Sequence, residues 1–223
     1  MGALAIEMKL RAAQERLKKV TAALARKHKG GELEAYRHAR AEVLELEREL
    51  AATRGEEYAV TIDFPVKWDT GATLPHVLAN DYRCFVTFYV AVVDPDWDGT
   101  YATMVNPADE IAQHLAVVEF KFPASMGFGS PNDEGLDGHP LYGKGLEPYE
   151  AQIVENSRRI AELKAISKAH GSYHPERWDE LKHYVLWFHD KTFECIARGY
   201  QVDVYHESMS SLLDRVAKRL LGK

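Results

Sequence analysis

The chain has 223 residues, 34 acidic and 28 basic side chains, 46% hydrophobic residues and two cysteines. That excludes a disordered chain, which has fewer apolar residues for its charge, and a disulfide scaffold. No stretch reaches the ~18 apolar residues of a membrane span, and Glu7, Lys9 and Arg11 interrupt any secretory apolar core, so the expectation is a cytoplasmic globular protein.

Residues 1–56 read as a helical hairpin. Ala3, Ile6, Leu10, Ala13, Leu17, Val20 and Leu24 recur at alternating spacings of three and four, a coiled-coil seam. Gly30 and Gly31 stop this helix, with His28 and Lys29 in its last turn. A second seam follows at Tyr36, Ala39, Val43, Leu46 and Leu50. A short Gly-Gly turn folds two such helices antiparallel. The first helix is basic and the second rich in Glu, which suits that docking and argues against a nucleic-acid partner, because the basic charge is neutralised within the chain. A two-helix hairpin has little core of its own. Residues 3–54 are therefore expected to contact a protein partner or a second copy.

Residues 57–223 read as an α+β core, mainly antiparallel β in a sandwich or half-barrel, with helical insertions. Five strands are expected: Tyr58–Phe64, Cys84–Val93, Leu115–Phe122, His183–His189 and Thr192–Ala197, the last continuing to Tyr205 past a break at Gly199. The nearly unbroken apolar run of Cys84–Val93 marks a central strand covered on both faces. Asp190-Lys191 makes a hairpin turn. Helices are expected after Asn106, across 149–169, from Pro175, and from Ser208 to Leu221. In this last helix Met209, Leu212, Leu213, Val216 and Leu220 form an apolar stripe that covers the sheet. Cys84 and Cys195 on apolar strands read as buried and inert.

Three places concentrate polar chemistry. Gly127–Gly145 carries six glycines among Asn132, Asp133, Glu134, Asp137 and His139, an irregular loop offering acid–base groups. His183 and His189, six apart, share one strand face, with Asp190 at the turn and Glu194 on the return strand. Asp94-Pro-Asp-Trp-Asp-Gly99 opens like a calcium loop, but Val105 stands where the bidentate Glu is needed, so it reads as an acidic turn. No Gly-rich phosphate loop and no paired-ligand metal signature is present, and the sequence identifies no cofactor.

The combination of Trp68-Asp-Thr-Gly-Ala-Thr-Leu-Pro75, Pro131-Asn-Asp-Glu134, Gly138-His-Pro-Leu-Tyr142, His183-Tyr184, Phe188-His-Asp190 and Thr192-Phe-Glu194 resembles a pattern in bacterial proteins of unknown activity. The resemblance implies that these segments share one domain, and no chemistry. Two functions follow. The first is a non-enzymatic binding and assembly module, with Asn132, Asp133, Glu134 and His183 recognising a ligand or partner. The alternative is a hydrolase, with His189 as base oriented by Asp190 or Glu194 and with Asp133, Glu134 and His139 positioning water, metal or substrate.

Overall fold

The computed structural model describes residues 2–26, 30–92 and 105–222. Helices α1 (Ala3–Leu24) and α2 (Gly30–Thr53) pack together as the expected helical pair, but Gly30 and Gly31 open α2 instead of making the turn that stops α1, which ends at Leu24. Ile6 and Ala13 of α1 are buried against Val43, Leu46 and Leu50 of α2, with Ala3, Leu10 and Leu17 packed alongside. The opposite charges meet: Arg16 donates to Glu42, and Arg54 reaches back to Glu7 at 2.6 Å.

The remainder is a sandwich of two antiparallel sheets with no closed barrel. In the order in which they pair, the five-stranded sheet contains β1 (Tyr58–Thr61), β6 (Ala151–Glu155), β7 (Lys182–Trp187), β8 (Thr192–Ala197) and β5 (Ser125–Gly129). The four-stranded sheet contains β2 (His76–Ala79), β3 (Arg83–Tyr89), β4 (Gln113–Lys121) and β9 (Tyr200–Glu207). Alternation along each strand sends one set of side chains between the sheets. Cys84, Val86, Phe88, Val118 and Phe120 meet Tyr184, Leu186, Phe193, Cys195 and Ala197 there. Burial pushes the Cys84 thiol up to about 12 and raises that of Cys195, so neither is a thiolate at neutral pH.

The opposite set of side chains faces outward and is covered differently on each sheet. On the four-stranded sheet, Phe85, Tyr89, Leu115 and Val117 receive Met209, Leu212 and Val216 of α5 (Met209–Leu220). Ser208 caps α5 by accepting the Ser211 N–H. On the five-stranded sheet, Ala59, Val154, Val185 and Trp187 lie under Leu141 and Leu146 of the segment joining β5 to β6.

Several expectations are corrected. Residues 149–169 are not one helix: β6 pairs with β1 and β7, and α3 (Arg158–Ser167) starts only at Ser157, whose hydroxyl accepts the Ile160 N–H. Ser157 is the helix start signal; nothing before Tyr149 supplies one. Thr192–Ala197 does not continue past Gly199 in one sheet, because β8 and β9 belong to opposite sheets and the chain crosses between them there. The Gly127–Gly145 stretch begins within strand β5 and contains a 3₁₀ helix, Asp133–Gly138. Asn106 closes a turn, its side chain accepting the Ala108 N–H, and no helix follows. The strand expected to run to Val93 keeps regular pairing only to Tyr89, with one further bridge between Val90 and Trp68. His28, Lys29, Val93 and the Asp94–Gly99 turn lie outside the described residues. A short helix, α4 (Glu176–Asp179), does follow Pro175.

Candidate functional site

The outward face of the five-stranded sheet carries the polar groups. Cys195 of β8 points inward, so Glu194 points outward, as does His183 of β7, because Tyr184 faces the core. His183 Nε2 lies 3.1 Å from Glu194 Oε2, and its Nδ1 lies 2.9 Å from Ser157 Oγ. An ionised carboxylate only accepts, which puts the proton of the neutral ring on Nε2. Nδ1 then accepts the Ser157 hydroxyl proton, while Ser157 Oγ also accepts the Ile160 N–H at the start of α3. Asn156, at φ 52°, turns the chain sharply from β6 into that helix.

Two more groups converge on Glu194. Arg159 places one guanidinium nitrogen 3.3 Å from Oε2 and donates with another to Ser125 Oγ at 2.8 Å. His139 accepts the Leu141 N–H at Nδ1, which leaves its Nε2–H facing Glu194 Oε1 at 3.9 Å, an electrostatic contact longer than a hydrogen bond. The His139 ring edge rests on Trp187, 5.2 Å between centroids. His139 and His183, with Arg159, hold the Glu194 carboxyl far below the usual carboxylate range against the opposing effect of burial.

A second cluster sits at the β7–β8 turn. His189 Nδ1 bonds Asp190 at 2.9 Å, and its Nε2 lies 3.9 Å from Asp133 Oδ2. Tyr149, at φ 62°, donates its hydroxyl to the same Asp133 oxygen. Asp190, then Asp133, raise the His189 pKa above its ordinary value. The Tyr149 hydroxyl lowers that of Asp133, and burial followed by Asp133 pushes Tyr149 up to about 12. Asp133 Oδ1 is buried with no partner among the described residues.

The loop does fold over the turn: the Asp133 N–H donates to His189 O at 3.0 Å and Thr192 Oγ donates to Pro131 O at 2.9 Å. The candidate groups nevertheless sort into two clusters. Glu194 bonds His183 and faces His139, whereas His189 takes Asp190 and Asp133. The two histidines do not share a strand face as expected: His183 lies on β7, whereas that strand ends at Trp187 and His189 falls in the turn beyond it. Asn132 is occupied in capping the 3₁₀ helix, its side chain accepting the Gly135 N–H, and Glu134 is exposed. Sequence reasoning missed Ser157, Arg159 and Tyr149. Ser157 had a signal, a capping serine ahead of a helical pattern; the other two had none. Among the described residues no group of three or more His, Cys, Asp or Glu is arranged to hold a metal ion. No family model, curated protein or solved structure matches the chain.

Proposed function

We propose that the protein is a non-enzymatic binding and assembly module. The observation that carries this reading is the way the hairpin is fastened. Its α2 end is bolted to the core: Arg48 donates to Ala59 O at 2.8 Å and Gly145 O at 3.1 Å, and Glu47 accepts the Gly145 N–H. Helix α1 packs on α2 through a seam whose buried members on its side are Ile6 and Ala13, while Leu4 and Met8, one turn apart, stand 73% and 67% exposed. So thin a seam gains from a second copy laid on Leu4 and Met8. Recognition of a ligand falls to the corner at Asp133, Glu134, Asp190 and His189, where three carboxylates against one imidazole favour a basic group. Sedimentation velocity of the full chain tests the assembly half. The expected result is a concentration-dependent dimer that Met8→Glu dissociates; a monomer at every concentration overturns it.

One observation favours hydrolysis as a second reading. Ser157, His183 and Glu194 are hydrogen-bonded in the order of a nucleophile, its base and an orienting carboxylate, although the ring nitrogens are used in the reverse of the usual sense. Against it, Ser157 and His183 are buried and Ser157 Oγ also caps α3. A fluorophosphonate probe that labels the chain, but not Ser157→Ala, would favour hydrolysis over the binding reading. The expected result is no labelling of either.

A further inference from the structure

We infer that a cleft at the C-terminal end of α3, away from the polar sites above, binds an amphipathic organic anion: a planar or acyl apolar body bearing a sulfonate, carboxylate or phosphate. The cleft has a volume of about 920 Å³, which falls within the range of small-molecule sites. Phe122, Ile166, Trp178 and Leu181 supply apolar walls. No acidic side chain lines it among the described residues, in a chain with net charge −6.

Its basic groups divide into those already engaged and those free to receive a ligand. Arg198 is taken by Glu180 at 2.8 Å, and His174 lies 3.2 Å from Glu176. Arg177 is exposed with no carboxylate within 4.0 Å among the described residues. His170 accepts the Ser172 N–H at Nδ1, which leaves Nε2 as a donor in the neutral ring. A guanidinium and an imidazole N–H beside an aromatic wall suit one anionic head on an apolar body. Beside the cleft, Lys164 of α3 pairs with Asp179 of α4 at 2.8 Å.

Phe122 provides an independent observation. It holds φ 50°, a left-handed conformation that disfavours a bulky residue, and the residue is 66% exposed at the cleft. Glycine would relax that backbone, so the strained aromatic is kept for what its ring meets: Tyr82, edge-on at 6.4 Å, on one side and the cleft on the other. Strain retained in this way accompanies ligand contacts.

The test titrates the full chain with 1-anilinonaphthalene-8-sulfonate, following fluorescence, with N-phenyl-1-naphthylamine as the uncharged counterpart and inorganic phosphate as the bare anion. The sulfonate is expected to bind saturably at one site. Arg177→Gln weakens it about tenfold, as for loss of one charge-assisted contact, and leaves the uncharged dye unaffected. Phe122→Gly weakens both dyes without lowering the melting temperature. Millimolar phosphate does not displace the sulfonate. Absence of saturable binding, displacement by phosphate, or an affinity that neither variant alters overturns the inference. Arg177 is on the surface, so its variant tests the proposal even if Phe122→Gly fails to fold.

Discussion

The two sheets of the sandwich face the same problem, an outward surface that must be covered, and solve it in opposite ways. Over the four-stranded sheet lies one amphipathic helix, whose Met209, Leu212 and Val216 seal an apolar patch. Its Arg219 reaches the otherwise buried Glu119 at 2.7 Å. Over the five-stranded sheet lie an irregular segment and the start of α3, tied down by Ser157, His183, Glu194, Arg159 and His139. An apolar cover gains stability from area and tolerates small displacements. A polar cover depends on direction and leaves a donor or acceptor stranded when any one member is lost. On the five-stranded side the polar groups therefore hold the cover itself, whereas on the α5 side Arg219 with Asp203 and Arg215 with Glu207 only rim an apolar seal.

Two substitutions break the comparison at its strongest points. Gly145, at φ 83°, anchors the polar cover to the hairpin, and a Cβ there falls 2.6 Å from Ala59 O, a backbone atom without freedom to move. Left-handed strain and overpacking together predict that Gly145→Ala costs about 4 kcal/mol, measured by urea denaturation. On the apolar side, Leu212 is fully buried, and Leu212→Ala leaves a cavity worth about 3 kcal/mol by the same measurement. Because the two covers lie on opposite faces of the sandwich, the double variant is expected to be additive.

How legible each cover was in the sequence follows from the same contrast. The α5 stripe repeats with the helical period, so Met209, Leu212 and Val216 were readable, as were the hairpin seam and the central strand, because burial imprints periodicity. The polar cover has no period. Its members come from β5, the loop, α3, β7 and β8, and only register, which sets Glu194 opposite Val185 and diagonal to His183, brings that pair together while His189 falls in the turn beyond β7. Helix and strand were confused at Ala151–Glu155 because a short apolar run fits either pattern; pairing with β1 and β7 decides it. Residue types could be nominated from sequence, but their partners could not.

A milder substitution sharpens the comparison by removing charge without volume. Glu194→Gln keeps the shape of the hub and loses the ionised acceptor of His183 and Arg159 and the charge facing His139, an expected cost of about 2 kcal/mol at pH 7. Its folded-state pKa is depressed, so the wild-type carboxylate contributes fully above the unfolded glutamate value of about 4.3 and loses that contribution as pH falls below it. The gap in melting temperature between wild type and Glu194→Gln is therefore expected to be constant from pH 7 to about 5 and to close on further acidification. A gap that persists undiminished at pH 3 assigns the effect to shape rather than charge.

The smallest effect belongs to His189, at the exposed margin of the polar face. Its pKa is raised by Asp190 and Asp133, so the imidazolium is favoured in the folded state. The associated stabilisation is present below the unfolded value of about 6.5 and disappears as pH rises through the raised folded value, opposite in direction to that of Glu194. The ring and its Asp190 partner are both largely solvated, so little of the shift survives as stability. An NMR titration of the His189 ring is expected to give a midpoint above 6.5 that moves back toward it in Asp190→Asn, with the melting temperature unchanged. A midpoint that stays raised in that variant transfers the control to Asp133 and Tyr149, and would make the segment folded over the turn, rather than the turn itself, the element that sets this corner's charge.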